Sequence, residues 1–165
     1  MNKEQKRKQQ LKQRTLNESL EFQTLFGARK KLGVIPADIM VRLEEEMLVF
    51  SNMEVAEDLL ALKSIIDELN LKFGFIAEPS KGTLAGSYVA YFLGIEPTNP
   101  AESGAELNPL DFTPPLFLTI SYDNAVRNQA VEWMRAQGYE VTTYLGQPML
   151  RMKHTRVLIK RVVKA

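Results

Sequence analysis

Apolar positions are sparse at the start of this chain, helically spaced through its first half, and arranged as short alternating runs in its last third. Residues 1 to 19 are rich in Lys and Gln and carry too little apolar surface to offset the cost of ordering. They read as a basic arm, disordered or helical, that is ordered only if it joins the following helix. Leu20, Phe22, Leu25 and Phe26 form a short apolar patch ahead of Gly27, and Gly33 with Pro36 punctuates the chain before a second helix. From residue 37 to about 47, Ile39, Met40, Leu43 and Met47 recur at helical spacing opposite Glu44 and Glu45. A further helix is expected from about residue 54 to 70, with Val55, Leu59, Leu62, Ile65, Ile66 and Leu69 on its buried stripe and Asn70 as its stop.

The texture then changes. Leu71, Phe73 and Phe75 alternate with Lys72 and Gly74, which predicts a short strand over 71–77 ending at a Glu78-Pro79 turn. A small-residue helix is expected to run to about Leu93, followed by a loop rich in Gly, Pro and Asn over 94–108 that is long for a compact domain. Leu116 to Ser121 is a strand, Asn124 to Gln137 a helix closed by Gly138, and Tyr139 to Leu145 another strand. Gly146-Gln147-Pro148 reads as a turn, with further strands over 149–152 and 156–163. Asp123 suits the N-cap of the helix that follows it, and Trp133 and Met134 suit a core. The order predicts an α+β fold, a sheet with flanking helices, as one domain over 20–165 behind the basic arm.

Composition narrows this picture. With 165 residues and 45 % apolar content, the chain is long enough to bury one core. It has no cysteine, which excludes disulfides, thiolate metal sites and cysteine nucleophiles and fits the cytoplasm. The basic start is followed by no apolar segment of export type, and no apolar run reaches membrane-spanning length, so a soluble protein with no membrane partner is expected. Net charge is +1, yet no acidic residue follows Glu140 and both ends are cationic. Arg151, Lys153, His154 and Arg156 are therefore candidates for contact with nucleic acid, against the simpler reading of a solvated strand and a frayed tail. His154 is the only histidine, too little for a histidine metal site or a Ser-His-Asp relay.

The segment with the most chemical content is Lys81-Gly82-Thr83-Leu84-Ala85-Gly86-Ser87, between an expected strand and an apolar helix. Small residues let backbone amides approach an oxyanion, and a helix start supplies oriented N–H groups. Lys81 and the hydroxyls of Thr83 and Ser87 would complete a cradle for a phosphate or nucleotide. The spacing is not that of a P-loop: three residues separate Gly82 from Gly86, and no lysine precedes Ser87. Nor is it the Rossmann pattern. The same glycines would equally serve close packing of the helix on a sheet.

Residues 81–100, KGTLAGSYVAYFLGIEPTNP, resemble the Gly-Ser-rich stretch that opens the palm of the bacterial DNA polymerase III alpha subunit, in the family C polymerases. Ile35-Pro36 through Arg42-Leu43 and Glu46-Met47 is similar to the helix preceding that palm in the Gram-positive form of the subunit. The likeness extends from about residue 22 to 146 and is most specific over 81–100. It implies a mixed sheet of the polymerase-beta-like nucleotidyltransferase type, preceded by N-terminal helices. The family follows its Gly-Ser stretch with a Pro-Asp-Ile-Asp strand whose aspartates hold two magnesium ions. Here the matching run is Pro114-Pro115-Leu116-Phe117-Leu118-Thr119-Ile120-Ser121, so Pro115 and Phe117 stand at the metal positions. Neither offers the oxygen ligand that magnesium and phosphoryl transfer require.

The resemblance therefore implies a non-catalytic palm-like protein, without magnesium, that binds nucleotide, DNA or a replication partner. Two alternatives stand beside it. One is an interaction or scaffold protein whose glycines serve packing alone. The other is a small nucleotidyltransferase with relocated carboxylates such as Asp111 and Asp123.

Overall fold

A computed structural model describes residues 2–78, 84–104, 107 and 113–163. The chain is α+β. Three helices, α1 (Lys3–Leu32), α2 (Ala37–Met53) and α3 (Ala56–Phe73), precede the short helices α4 (Tyr88–Leu93) and α5 (Pro100–Ser103). Strand β1 (Leu116–Asp123), helix α6 (Arg127–Ala136) and strands β2 (Glu140–Tyr144), β3 (Gln147–Arg151) and β4 (Thr155–Val162) complete it. The mixed sheet has the order β1-β4-β3-β2, with β1 parallel to β4 and the other pairs antiparallel.

The basic arm is helical. Asn2 accepts from the Gln5 N–H at 2.8 Å while the Gln5 side chain accepts from the Asn2 N–H at 3.1 Å, a reciprocal cap that starts α1. The helix then continues through Gly27, which the sequence pattern places at its boundary, because that glycine lies against the backbone of α4: a Cβ there would sit 2.1 Å from the Phe92 carbonyl oxygen. Helix α3 likewise passes Asn70 and ends at Gly74, in the left-handed conformation that closes a helix (φ 69°). The extra turn consumes Leu71 and Phe73, so the strand expected over 71–77 is reduced to a single antiparallel bridge from Glu78 to Ser121. The hairpin turn is Leu145-Gly146, both at positive φ as a two-residue loop demands, and Gln147 and Pro148 belong to β3. Asp123 caps the turn before α6, accepting from the Ala125 N–H at 2.9 Å, while Val126 stands at the helix start.

Sheet register decides what faces the core. Leu116, Leu118 and Ile120 of β1 lie beside Thr155, Val157 and Ile159 of β4, and all six are buried, together with Leu150 of β3. Val131 and Met134 of α6 join them in the core, as do Leu59, Leu62, Ile65 and Leu69 of α3. Trp133 is only half-buried, with the Lys72 ammonium 5.9 Å from its ring.

Buried Asp58 ties helix to sheet. Its Oδ2 accepts from the His154 N–H and from the Thr155 hydroxyl, each at 2.8 Å. Replacing Asp58 with alanine strands both donors and is expected to cost about 2 kcal/mol. Asp58→Asn, which keeps an acceptor oxygen, should lose less, and urea denaturation of the two variants checks the order.

Candidate functional site

Helix α2 and the start of α4 meet in space. Glu46 of α2 is buried at 4 % exposure and lies at the start of α4. Ser87 donates its hydroxyl to Glu46 Oε1, the Tyr88 N–H donates to Oε2 at 3.0 Å, and the Val89 N–H donates to Oε1 at 3.2 Å. Ser87 Oγ in turn accepts from the Ala90 N–H at 3.0 Å, as an N-cap does. One turn earlier on α2, Arg42 donates to the Gly86 carbonyl at 3.2 Å and stacks over Tyr88, 4.4 Å from its ring centre. The anion at this helix start is thus the chain's own carboxylate. Burial raises the Glu46 pKa above its ordinary value, outweighing the hydrogen bonds from Ser87, Tyr88 and Val89 and the Arg42 charge, which lower it.

This geometry bears on the expected phosphate cradle. Gly86 and Ser87 are buried, and the donors at Ser87, Tyr88 and Val89 are engaged with Glu46. Lys81, Gly82 and Thr83 lie outside the described residues, as does Asp111. Glu46 and Arg42 did not stand out from the sequence as site residues. An acidic residue on an otherwise apolar stripe is the signal that was available.

On β1, Pro115 and Phe117 are exposed, and Pro114-Pro115 is a cis peptide. Alternation puts Phe117 on the face opposite the core, and the register extends that face across the sheet. Phe117 lies beside Arg156, Arg156 beside Arg151, and Arg151 beside Glu140; in the next row Leu158 lies beside Met149. Lys160 and Tyr144 share this face by parity. The Phe117 and Tyr144 rings are 45 % and 42 % exposed as residues, and their centres stand 6.2 Å apart at 45°. Two exposed aromatics therefore share a sheet face with Arg151, Arg156 and Lys160.

No protein-family model and no curated protein matches this sequence.

The four residues of the basic segment have different fates. Arg151 and Arg156 are cross-strand neighbours, Lys153 is exposed in the connecting turn, and Arg156 Nη1 is anchored to the carbonyls of Met152 (2.6 Å) and Thr155 (3.1 Å). His154 is half-buried rather than a surface residue: its N–H is held by Asp58, and its Nε2 is sealed from solvent without a hydrogen-bond partner. Among the described residues, no three His, Asp or Glu side chains converge as a metal site would require. No helix among them is long and apolar enough to cross a membrane. Tyr144 and Lys160 were missed in the sequence because pairing of β3 with β4, and not local spacing, puts them with Phe117 and Arg151.

Proposed function

We propose that this chain is a non-catalytic relative of the polymerase III alpha palm that binds single-stranded nucleic acid on the open face of its sheet. The observation that carries this reading is the pairing of exposed Phe117 and Tyr144 rings with the Arg151, Arg156 and Lys160 cations on one face. Every base has a π-face, so aromatic platforms bind single strands with little regard to sequence, while nearby cations neutralise the backbone. A duplex hides its base faces and would use only the cations. The palm relationship is supported by the packing of Arg42 and Glu46 against Gly86, Ser87 and Tyr88, which joins the two resembling stretches. With Pro115 and Phe117 at the former aspartate positions, magnesium has no role in this reading.

Fluorescence anisotropy with a labelled single-stranded DNA oligonucleotide tests it. Phe117→Ala and Tyr144→Ala are each expected to weaken binding by about 1–3 kcal/mol, from about five-fold to more than about a hundred-fold, with duplex binding little changed. Arg151→Ala should weaken both and lower the salt dependence by about one ion. Equal single-strand affinity in wild type and both aromatic variants would remove the proposal, and so would magnesium-dependent extension of a primed template. A nucleotide-binding version is better probed at Lys81 than at Ser87, because removing the buried Ser87 hydroxyl disturbs Glu46 whether or not a ligand binds.

A further inference from the structure

Helix α1 outruns the core that supports it. Every residue from Asn2 to Lys12 is exposed, and the first fully buried side chain of α1 is Leu20. An isolated helical stretch of this length is marginal in water. The face that packs on the core through Leu20, Thr24 and Ala28 continues toward the N-terminus as a polar stripe, Lys6, Gln10, Gln13, Asn17 and Glu21. This stripe forms one wall of a groove of roughly 820 Å³, whose opposite wall is α2 with Met40, Leu43, Met47 and Leu48. Within the groove, Gln13 Oε1 and Asn17 Oδ1 are shut off from solvent with no hydrogen-bond partner, although the Asn17 amide donates to Ser51 Oγ at 3.0 Å. Acceptors left in that state cost about 1–3 kcal/mol each.

The stripe is complementary to itself when reversed. Centred near Gln13, an antiparallel copy sets Lys6 of one chain beside Glu21 of the other, and Gln10 beside Asn17. The same alignment carries the cationic start of the second helix, Lys3 and Arg7, toward Glu44 on the far wall. Neither Lys6 nor Glu21 has an ion-pair partner among the described residues. Self-complementarity of this kind generates a closed two-fold dimer, in which each contact occurs twice.

We infer that the α1–α2 groove is the interface of a homodimer, filled by the N-terminal half of α1 from a second copy running antiparallel. The inference is independent of the nucleic-acid reading, since the sheet face takes no part in it. Lysine and arginine stems cover the methionine and leucine floor while their charged ends reach the glutamates.

Sedimentation equilibrium over a concentration series tests it. Wild type is expected to approach twice the 18.8 kDa chain mass as concentration rises, and to dissociate more readily at high salt. Lys6→Glu or Glu21→Lys alone places like charges together twice per dimer and should raise the dissociation constant at least ten-fold. The Lys6→Glu/Glu21→Lys double variant should dimerise again, and an equimolar mixture of the two single variants should form a heterodimer that neither forms alone. Lys6 and Glu21 are surface positions, and circular dichroism of each variant shows whether the fold is kept. A wild type that stays at monomer mass throughout would overturn the inference. So would single variants that dimerise as well as wild type, or a mixture that fails to associate.

Discussion

Glu46→Ala is expected to destabilise the fold by about 3–5 kcal/mol, which is enough to unfold a marginal domain. The loss follows from what the carboxylate satisfies: the Ser87 hydroxyl and the Tyr88 and Val89 amides are all buried, and each donates to it. Glu46→Gln keeps one acceptor oxygen but turns an NH2 donor toward donors, so it should fall between wild type and alanine. A pH dependence accompanies it. Because burial raises the folded-state pKa of Glu46 above 4.5, the folded state binds more protons than the unfolded one between the two values. The contribution is therefore full below the unfolded pKa and is lost as pH rises through the folded one. Thermal melts across that window should show wild type losing stability relative to Glu46→Gln as pH rises. An unchanged difference would mean that Glu46 titrates normally.

Gly27→Ala should cost about 2–3 kcal/mol even though alanine is the better helix former. Alanine gains about 1 kcal/mol of helix propensity at an interior position. Against that, its methyl carbon would lie 2.1 Å from the Phe92 carbonyl oxygen and 3.1 Å from its carbonyl carbon. Backbone cannot rotate aside as a side chain can, so α1 and α4 must separate along their crossing, at the upper end of the usual overpacking penalty. A guanidinium midpoint shifted down with an unchanged slope would report this loss. A midpoint shifted up would mean that the helices have room to move.

Most helices and strands of this protein are local facts. The Leu59, Leu62, Ile65, Ile66 and Leu69 stripe repeats every three or four residues, and α3 buries each of these side chains. Leu116, Leu118 and Ile120 alternate, and β1 buries that face while exposing Phe117. Where local rules failed, a distant partner was the cause. Gly27 carries the flexibility of a helix end yet lies mid-helix because Phe92 passes against it; the 71–77 alternation yields to one more turn of α3 and a cap at Gly74.

The candidate sites divide in the same way. Composition and order alone determined a mainly helical first half, a sheet in the second, a cationic C-terminal segment, and a β1 strand entered through Pro114-Pro115 and carrying Phe117. Only the tertiary structure decided that Glu46 meets the Gly86-Ser87 turn, that Asp58 holds the β3–β4 connection, and that Phe117 shares a sheet face with Tyr144 and Arg151. Periodicity reports which side of an element is apolar, because that depends on neighbours within a turn or two of chain. It is silent on which buried carboxylate finds which donors, since those pairs are joined by chain closure over 41 and 97 residues and are chosen by packing of the whole core.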